Sequence, residues 1–250
     1  TTAQLHGSTR PNDVTEAGFE YGATTSYGSE LKDTEPLQFT RRTALDAGSI
    51  GASKPFRPKS VATDADGNIF AFDGYNMRVV KFDANGKFIT AWGSKGAGDN
   101  QFYSQDGYDA DDENIRKTNE ITVDSAGFVY VTGYTEDRSG TYSTQARHVI
   151  KKYTNDGTFV TKWQPQALYA NEIFEEINGI SVDSLNNVYI VYASVDQVCV
   201  NNYGNNCSGS KVQKYSSTGM YLTQWDASGE DVYVDDNDVI HVLSLSNNGS

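Results

Sequence analysis

The sequence is poor in the residues on which catalysis and metal binding most often rest. Its 250 residues include three histidines and two cysteines. It has no Gly-x-Ser-x-Gly elbow, no phosphate-binding glycine loop, no His-Glu-x-x-His pair and no Cys-x-x-Cys pair. Nucleophilic catalysis and zincin-type hydrolysis therefore lack their usual residues. Long apolar runs are missing as well. No stretch approaches the eighteen or so residues that carry a helix across a bilayer, and the opening TTAQLHGSTR lacks the basic-then-apolar plan of a signal peptide. The expectation is a soluble chain from which any signal has already been removed, with no membrane insertion. Positive charge is also short: 20 Lys and Arg against 33 Asp and Glu give a net charge of −13 and a pI of about 4.6. Such a balance repels phosphate backbones, and the basic residues are scattered, so no nucleic-acid partner is expected.

What is plentiful points to strands. Hydrophobic residues make up 37%, enough for a real core, and 16 Tyr and 11 Phe favour extended structure. The 23 Gly, with many Asn, Asp, Ser and Thr, supply short turns. An all-β chain follows. Cys199 and Cys207 bracket VNNYGNN, a stretch suited to a hairpin tip, where either a local disulfide or two free thiols fit. Asn206 and Asn248 stand in Asn-x-Ser sequons. Together these features favour an extracellular or cell-surface location.

The stretch DADGNIFAFD at 64–73 can be read as an ion-binding loop, a catalytic carboxylate pair or one stitch of a repeat, and internal similarity favours the repeat. PKSVATDADGNIFAFD, NEITVDSAGFVYVTG, NGISVDSLNNVYIVY and DVYVDDNDVIHVLS align with one another. In each, an Asp ends the first strand (Asp64, Asp124, Asp183, Asp235), a small-residue turn follows, and then comes an aromatic or branched strand. In the first three units a Lys-aromatic pair opens a hairpin that turns at Gly86, Gly157 and Gly219 and ends at Trp92, Trp163 and Trp225. The Asp bonds backbone ahead of it while Gly takes positive φ, which joins two strands tightly. Ile69 and Ala71 alternate with Phe70 and Phe72, so both faces of that strand are apolar. A four-stranded unit cannot bury two apolar faces alone, whereas radial stacking of units does so. The expected fold is a β-propeller of four-stranded blades over 37–250.

The first unit resembles the NHL repeat. The resemblance rests on Pro58, Val61-Ala62-x-Asp64, Gly67-Asn68, Asn76, Arg78-Val79, Lys81-Phe82-Asp83, Gly86, Trp92-Gly93 and the link GAGDNQF. In units two and three the Asn-x-Arg element gives way to the insertions YTEDRSGTYSTQARH and ASVDQVCVNNYGNNCSGS, which lengthen the loop after the second strand. Three full units and a fraction fall short of the blade number usual for that family, and 37–53 are a candidate outer strand of a preceding blade. Residues 1–36 are similar instead to fibronectin type III-like strands of bacterial surface proteins, at Ala3, Leu5, Gly7, Pro11, Asn12, Phe19-Glu20-Tyr21-Gly22 and Tyr27-Gly28. A module of that kind needs about seven strands. Three readings stay open: a fragment, a sandwich completed by a neighbour's strand, or strands belonging to a blade.

Chemistry has few candidates. Asp106, Asp109, Asp111, Asp112 and Glu113 place five carboxylates in one loop, with Asn114 adding a neutral oxygen, and calcium accepts such a loose oxygen set. An ordinary solvated acidic loop looks the same. Some relatives of this fold are lyases or lactone hydrolases with a metal in the central channel. Here His6 lies outside the propeller, and His148 and His241 fall at different places in their units, so no shared ring is suggested. Tyr103, Tyr108, Tyr134, Tyr142, Tyr169 and Tyr203 sit in insertions whose composition suits a carbohydrate or protein ligand, or packing of the loops on themselves. The favoured function is non-enzymatic: an extracellular binding, adhesion or assembly protein, with self-association by strand addition into a surface polymer or filament. The alternative is a metal-dependent propeller lyase or hydrolase.

Overall fold

A computed structural model describes residues 18–21, 29–32, 51, 55–103, 119–134, 148–166, 172–196, 208–227 and 229–243. The chain divides into two units, Thr1–Thr43 and Ala44–Ser250. In the first, β1 (Gly18–Tyr21) pairs antiparallel with β2 (Ser29–Lys32), Gly18 opposite Lys32 and Tyr21 opposite Ser29.

The second unit is all-β. Its first blade is β3 (Pro58–Thr63), β4 (Ile69–Asp73), β5 (Arg78–Phe82) and β6 (Phe88–Trp92). A parallel pair in the link, β7 (Ser94–Lys95) and β8 (Gln101–Phe102), leads to the second blade. That blade is β9 (Ile121–Val123), β10 (Val129–Tyr134), β11 (His148–Tyr153) and β12 (Phe159–Trp163). The third is β13 (Glu172–Val182), β14 (Val188–Asp196), β15 (Ser208–Tyr215) and β16 (Tyr221–Asp226). A fourth unit contributes β17 (Asp231–Val234) and β18 (Ile240–Leu243). Each complete blade is a four-stranded antiparallel sheet in chain order, and no helix occurs among the described residues.

The blades stack through their first strands. Ile121 N–H donates to Ser60 Oγ across β9 and β3 (3.2 Å), and Val234 N–H donates to Ser181 Oγ across β17 and β13 (3.0 Å). The core lies between the sheets, as two-sided strands require. Phe70, Phe72 and Val79 of the first blade meet Ile121, Val129, Val131 and Tyr153 of the second. Tyr130 and Ile150 on the second blade's other face meet Ile180, Val188, Ile190 and Tyr215 of the third. Tyr189, Val191 and Val212 then meet Val232 and Val234 of the fourth unit. The architecture is a β-propeller. The first blade's far face is also covered, with Ala71, Val80 and Phe82 packed under Phe56, Ile69, Phe88 and Ala91.

The repeated tryptophan and hairpin glycine prove to be one joint. A Cβ on Gly157 would lie 2.5 Å from the ring of Trp92, and one on Gly219 would lie 2.6 Å from the ring of Trp163. Trp92 and Trp163 therefore each rest against the hairpin turn of the following blade. Glycine is needed there twice over, because φ is 92° at Gly157 and 85° at Gly219.

Candidate functional site

The four repeated aspartates are committed to their turns. Asp64 Oδ1 accepts from the N–H groups of Asp66 (3.1 Å) and Asn68 (2.8 Å), while Oδ2 accepts from the amides of Asn68 (2.9 Å) and Asn155 (3.0 Å). Asp124 holds Ala126 N–H and Phe128 N–H and takes a proton donor from Tyr130 OH at 2.8 Å. Asp183 repeats this with Leu185, Asn187 and Tyr189 OH. Asp235 holds Asn237 and Val239 N–H, and its outer oxygen meets His241 Nε2 at 3.1 Å. The residue at positive φ is Gly67 or Gly127 in the first two turns but Asn186 (63°) and Asp238 (61°) in the last two, the types that tolerate that region best after glycine. These two reach across blades: Asn186 Oδ1 accepts from Ser125, and the Asp238 carboxylate accepts from Ser184 N–H at 2.7 Å.

A lysine on each third strand completes the arrangement. Lys81 lies directly opposite Phe70, Lys152 opposite Tyr130 and Lys214 opposite Tyr189. Each ammonium sits over the ring of its cross-strand partner, at 5.2, 5.0 and 4.8 Å from the centroid. Lys81 and Lys152 also reach the hairpin turn of the next blade, at Asn155 Oδ1 and the carbonyl of Ser217. Lys214 pairs with Asp183 of its own blade at 3.1 Å. Burial pushes the Asp64 and Asp183 carboxyls up, but donated hydrogen bonds and the nearby lysine outweigh it and hold both below the ordinary carboxylate range. Among the described contacts these carboxylates anchor turns, accepting from N–H and O–H donors of their own and neighbouring blades.

Other candidates fare as follows. Asp106, Asp109, Asp111, Asp112, Glu113, Cys199, Cys207, Asn206, Asn248 and His6 lie outside the described residues. Tyr134 is buried, its ring 4.4 Å from that of His148, so it is not an exposed ligand-binding ring; Tyr103, bridged to it through the backbone, is half-buried, and Tyr108, Tyr142, Tyr169 and Tyr203 lie outside the described residues. Among the described residues no group of three or more His, Cys, Asp or Glu is placed to hold a metal.

The fourth unit is where the surface changes character. Among the described residues β18 pairs only with β17, so one long edge of its backbone carries no ladder. On the face turned away from the third blade, Tyr233 is 45% exposed and Leu243 59%. Tyr233 lies opposite His241 and stacks on it at 6.1 Å and 30°, where the first strands of the other blades carry Ala62, Thr122 and Ser181. Trp225, the counterpart of Trp92 and Trp163, has a ring contact with Tyr189 behind it, and no described glycine turn seats beneath it. Sequence reasoning found the Asp, Lys, Gly and Trp landmarks. It missed that Lys, Gly and Trp form an inter-blade joint, for which the only signal was their fixed spacing.

Comparison with known proteins agrees on the architecture. The beta-propeller repeat family model matches residues 113–137. No curated protein matches the chain. Among solved structures, a streptogramin B lyase is 12% identical with a TM-score of 0.43, over 80% of this chain and 52% of that one. A gluconolactonase from Xanthomonas campestris is 12% identical with a TM-score of 0.41, over 74% of this chain and 55% of that one. A protein of unknown function from Bacteroides caccae is 13% identical with a TM-score of 0.41, over 75% and 53%. The chain spans about half the length of these structures, and none of their activities transfers to it at such identities. The chain is a β-propeller built from repeated four-stranded blades.

Proposed function

We propose that this chain is a non-catalytic propeller of NHL type that binds and assembles with other polypeptides outside the cytoplasm. The observation that carries this reading is the commitment of the four repeated aspartates to their own turns, which leaves them no catalytic duty among the described contacts. The extracellular or surface placement rests on Cys199 with Cys207, the Asn206 and Asn248 sequons, the acidic balance and the fibronectin-like N-terminal residues. Calcium binding by Asp106, Asp109, Asp111, Asp112 and Glu113 fits the same setting.

Two measurements test this function. Metal analysis of the purified chain, with lyase and lactonase assays before and after chelation, should find no stoichiometric zinc and no chelator-sensitive turnover. Stoichiometric zinc with turnover lost on chelation would replace the proposal with the enzyme reading. Native mass and size analysis should show association with other polypeptides, and a strictly monomeric chain without bound partner would count against the assembly reading.

A further inference from the structure

We propose that the outer strands of each blade carry a clasp matched to the link that enters that blade, apolar on the first, cationic on the second and amide on the third, so that the link at 94–102 is a charge-held strap able to open alone. This device is independent of the binding role proposed above.

Three successive rungs join the third and fourth strands of every blade, and one of them changes character from blade to blade. The first rung sets an aliphatic residue opposite the tryptophan: Val79 with Trp92, Ile150 with Trp163 and Val212 with Trp225. The third sets a lysine opposite a threonine: Lys81 with Thr90, Lys152 with Thr161 and Lys214 with Thr223. The rung between them is Val80 with Ala91, then Lys151 with Lys162, then Gln213 with Gln224. Two lysines directly opposite each other on a sheet repel, so the second pair needs compensation from outside the ladder. The link at 94–102 supplies it. Lys151 donates to the carbonyls of Gly98 (2.7 Å) and Gln101, and Lys162 pairs with the Asp99 carboxylate at 2.8 Å.

The other two pairs meet links of their own kind. On the first blade, Phe56 packs on Ala71, Val80 and Phe82 beside Ala91, with its ring 5.8 Å from that of Phe82. On the third, Gln213 Nε2 donates to the Gln166 carbonyl at 2.7 Å and to Gln224 Oε1 at 2.8 Å. The aromatic residue two positions further along each third strand follows the same rule. Tyr153 OH donates to the Asp99 carbonyl at 2.6 Å, and Tyr215 OH accepts from Gln166 N–H at 2.9 Å. Phe82 has no hydroxyl, and the link it meets offers a ring. Of the three pairs, the lysines alone bring charge, and salt screens the exposed Lys162–Asp99 contact. The strap carries Phe102, buried against Phe72 of the first blade (5.4 Å) and Tyr153 of the second (5.9 Å), so its opening uncovers an aromatic slot between them.

The test is amide exchange of the full chain, read at one amide or more in each link. Gly96 and Gln101 N–H, which donate to the Phe102 and Gly98 carbonyls, report the strap; Gln166 N–H reports the third blade's link and Arg57 N–H the first's. Tyr153→Phe should quicken exchange in the strap about threefold to tenfold while leaving Gln166 unchanged, and Tyr215→Phe should do the reverse. Joint replacement Lys151→Gln with Lys162→Gln should quicken the strap about tenfold, with Arg57, Gln166 and the β10–β11 ladder unmoved. Raising salt to about 1 M should quicken the strap about twofold to fivefold, a response that Asp99→Asn abolishes. A glutamine pair that holds the strap as firmly as the lysines would overturn the proposal. So would a strap indifferent to Tyr153→Phe or to salt, or tyrosine changes that quicken both links together. Each tyrosine change removes a single oxygen, so the pair decides the matter even where the lysines prove necessary for folding.

Discussion

β10 and β18 occupy the same place in their units, the second strand after an Asp turn, yet every residue of β10 is buried whereas His241 and Leu243 of β18 are exposed. Both turns are built alike, with a carboxylate gripping two backbone N–H groups ahead of it. Local sequence makes the turn and the hairpin; the neighbouring blade makes the burial. A blade is a folding unit only in company, as the one-dimensional logic of repeat proteins predicts. Among the described residues the fourth unit contributes two strands and no following sheet, and its outward face is exposed accordingly.

The strongest way to break this comparison is to remove the joint on each side of it. Trp163→Ala empties a site bounded by Tyr130, Tyr215 and the Gly219 turn. It should cost about 3–5 kcal/mol, as loss of a packed aromatic does. Trp225→Ala loses a single described ring neighbour, Tyr189, and should cost about 1–2 kcal/mol. Urea midpoints of the two variants measure the difference, and equal losses would mean that Trp225 is packed as fully as its counterparts.

Glycine substitution sharpens the same point from the other side of the joint. Gly157→Ala adds a Cβ 2.5 Å from the Trp92 ring at a φ of 92°. Strain and overpacking together should cost about 2–4 kcal/mol. Gly67→Ala has a similar φ of 78° but meets only Ala84 Cβ at 3.3 Å, so it isolates the strain at about 1 kcal/mol. A two-stage denaturation would be informative, since Gly157→Ala should uncouple the first blade from the second.

Much of this was legible beforehand. The Asp turn, the hairpin glycines and the Trp ends are local features, and local features survive in sequence as fixed spacings. Phe70, Ala71 and Phe72 announced a strand buried on both faces, and the structure buries all three. What sequence could not show was which landmark touches which. Lys152 reaching the carbonyl of Ser217 and Ser184 reaching Asp238 join residues more than fifty positions apart. Nothing in a single unit's pattern says that its lysine serves the next unit. Tyr134 misled for a related reason: it opens an insertion rich in polar residues, but as the last residue of β10 it is covered by His148.

Removing turn carboxylates should separate complete and open units by a smaller margin. Asp183→Ala leaves Tyr189 OH, Lys214 and two N–H groups without their acceptor in a mostly buried setting and should cost about 2–3 kcal/mol. Asp235→Ala frees an exposed turn and should cost about 1 kcal/mol. Acid provides the reversible version. Because the Asp183 and Asp64 carboxyls titrate below their ordinary value, their contribution is present above the unfolded value of about 4 and is lost as pH falls through the folded values. Amide exchange of the first and third blades should quicken there.

The smallest effect concerns the links between units. Before the second blade, Lys151 is buried and donates to the carbonyls of Gly98 (2.7 Å) and Gln101, clamping the link that carries β7 and β8. Before the fourth unit the described contacts of the connection are of another kind: Ala227 N–H donates to the Ser210 carbonyl at 3.0 Å and Gly229 packs on Val242. Burial, with the charge of Lys162 adding to it and Asp99 opposing, pushes the Lys151 ammonium down to about 8. Its unfolded value is about 10.4, so between these limits the unfolded chain holds more protons and stability rises with pH. A neutral amine still has two N–H donors for the two carbonyls, so the clamp itself persists. Relative to a Lys151→Met variant, the native chain should gain about 1–3 kcal/mol between pH 8 and pH 10, read as the difference in urea midpoints. That subtraction cancels the general effect of added negative charge. A flat difference would mean that Lys151 keeps its proton in the fold, and that the two kinds of link respond to pH alike.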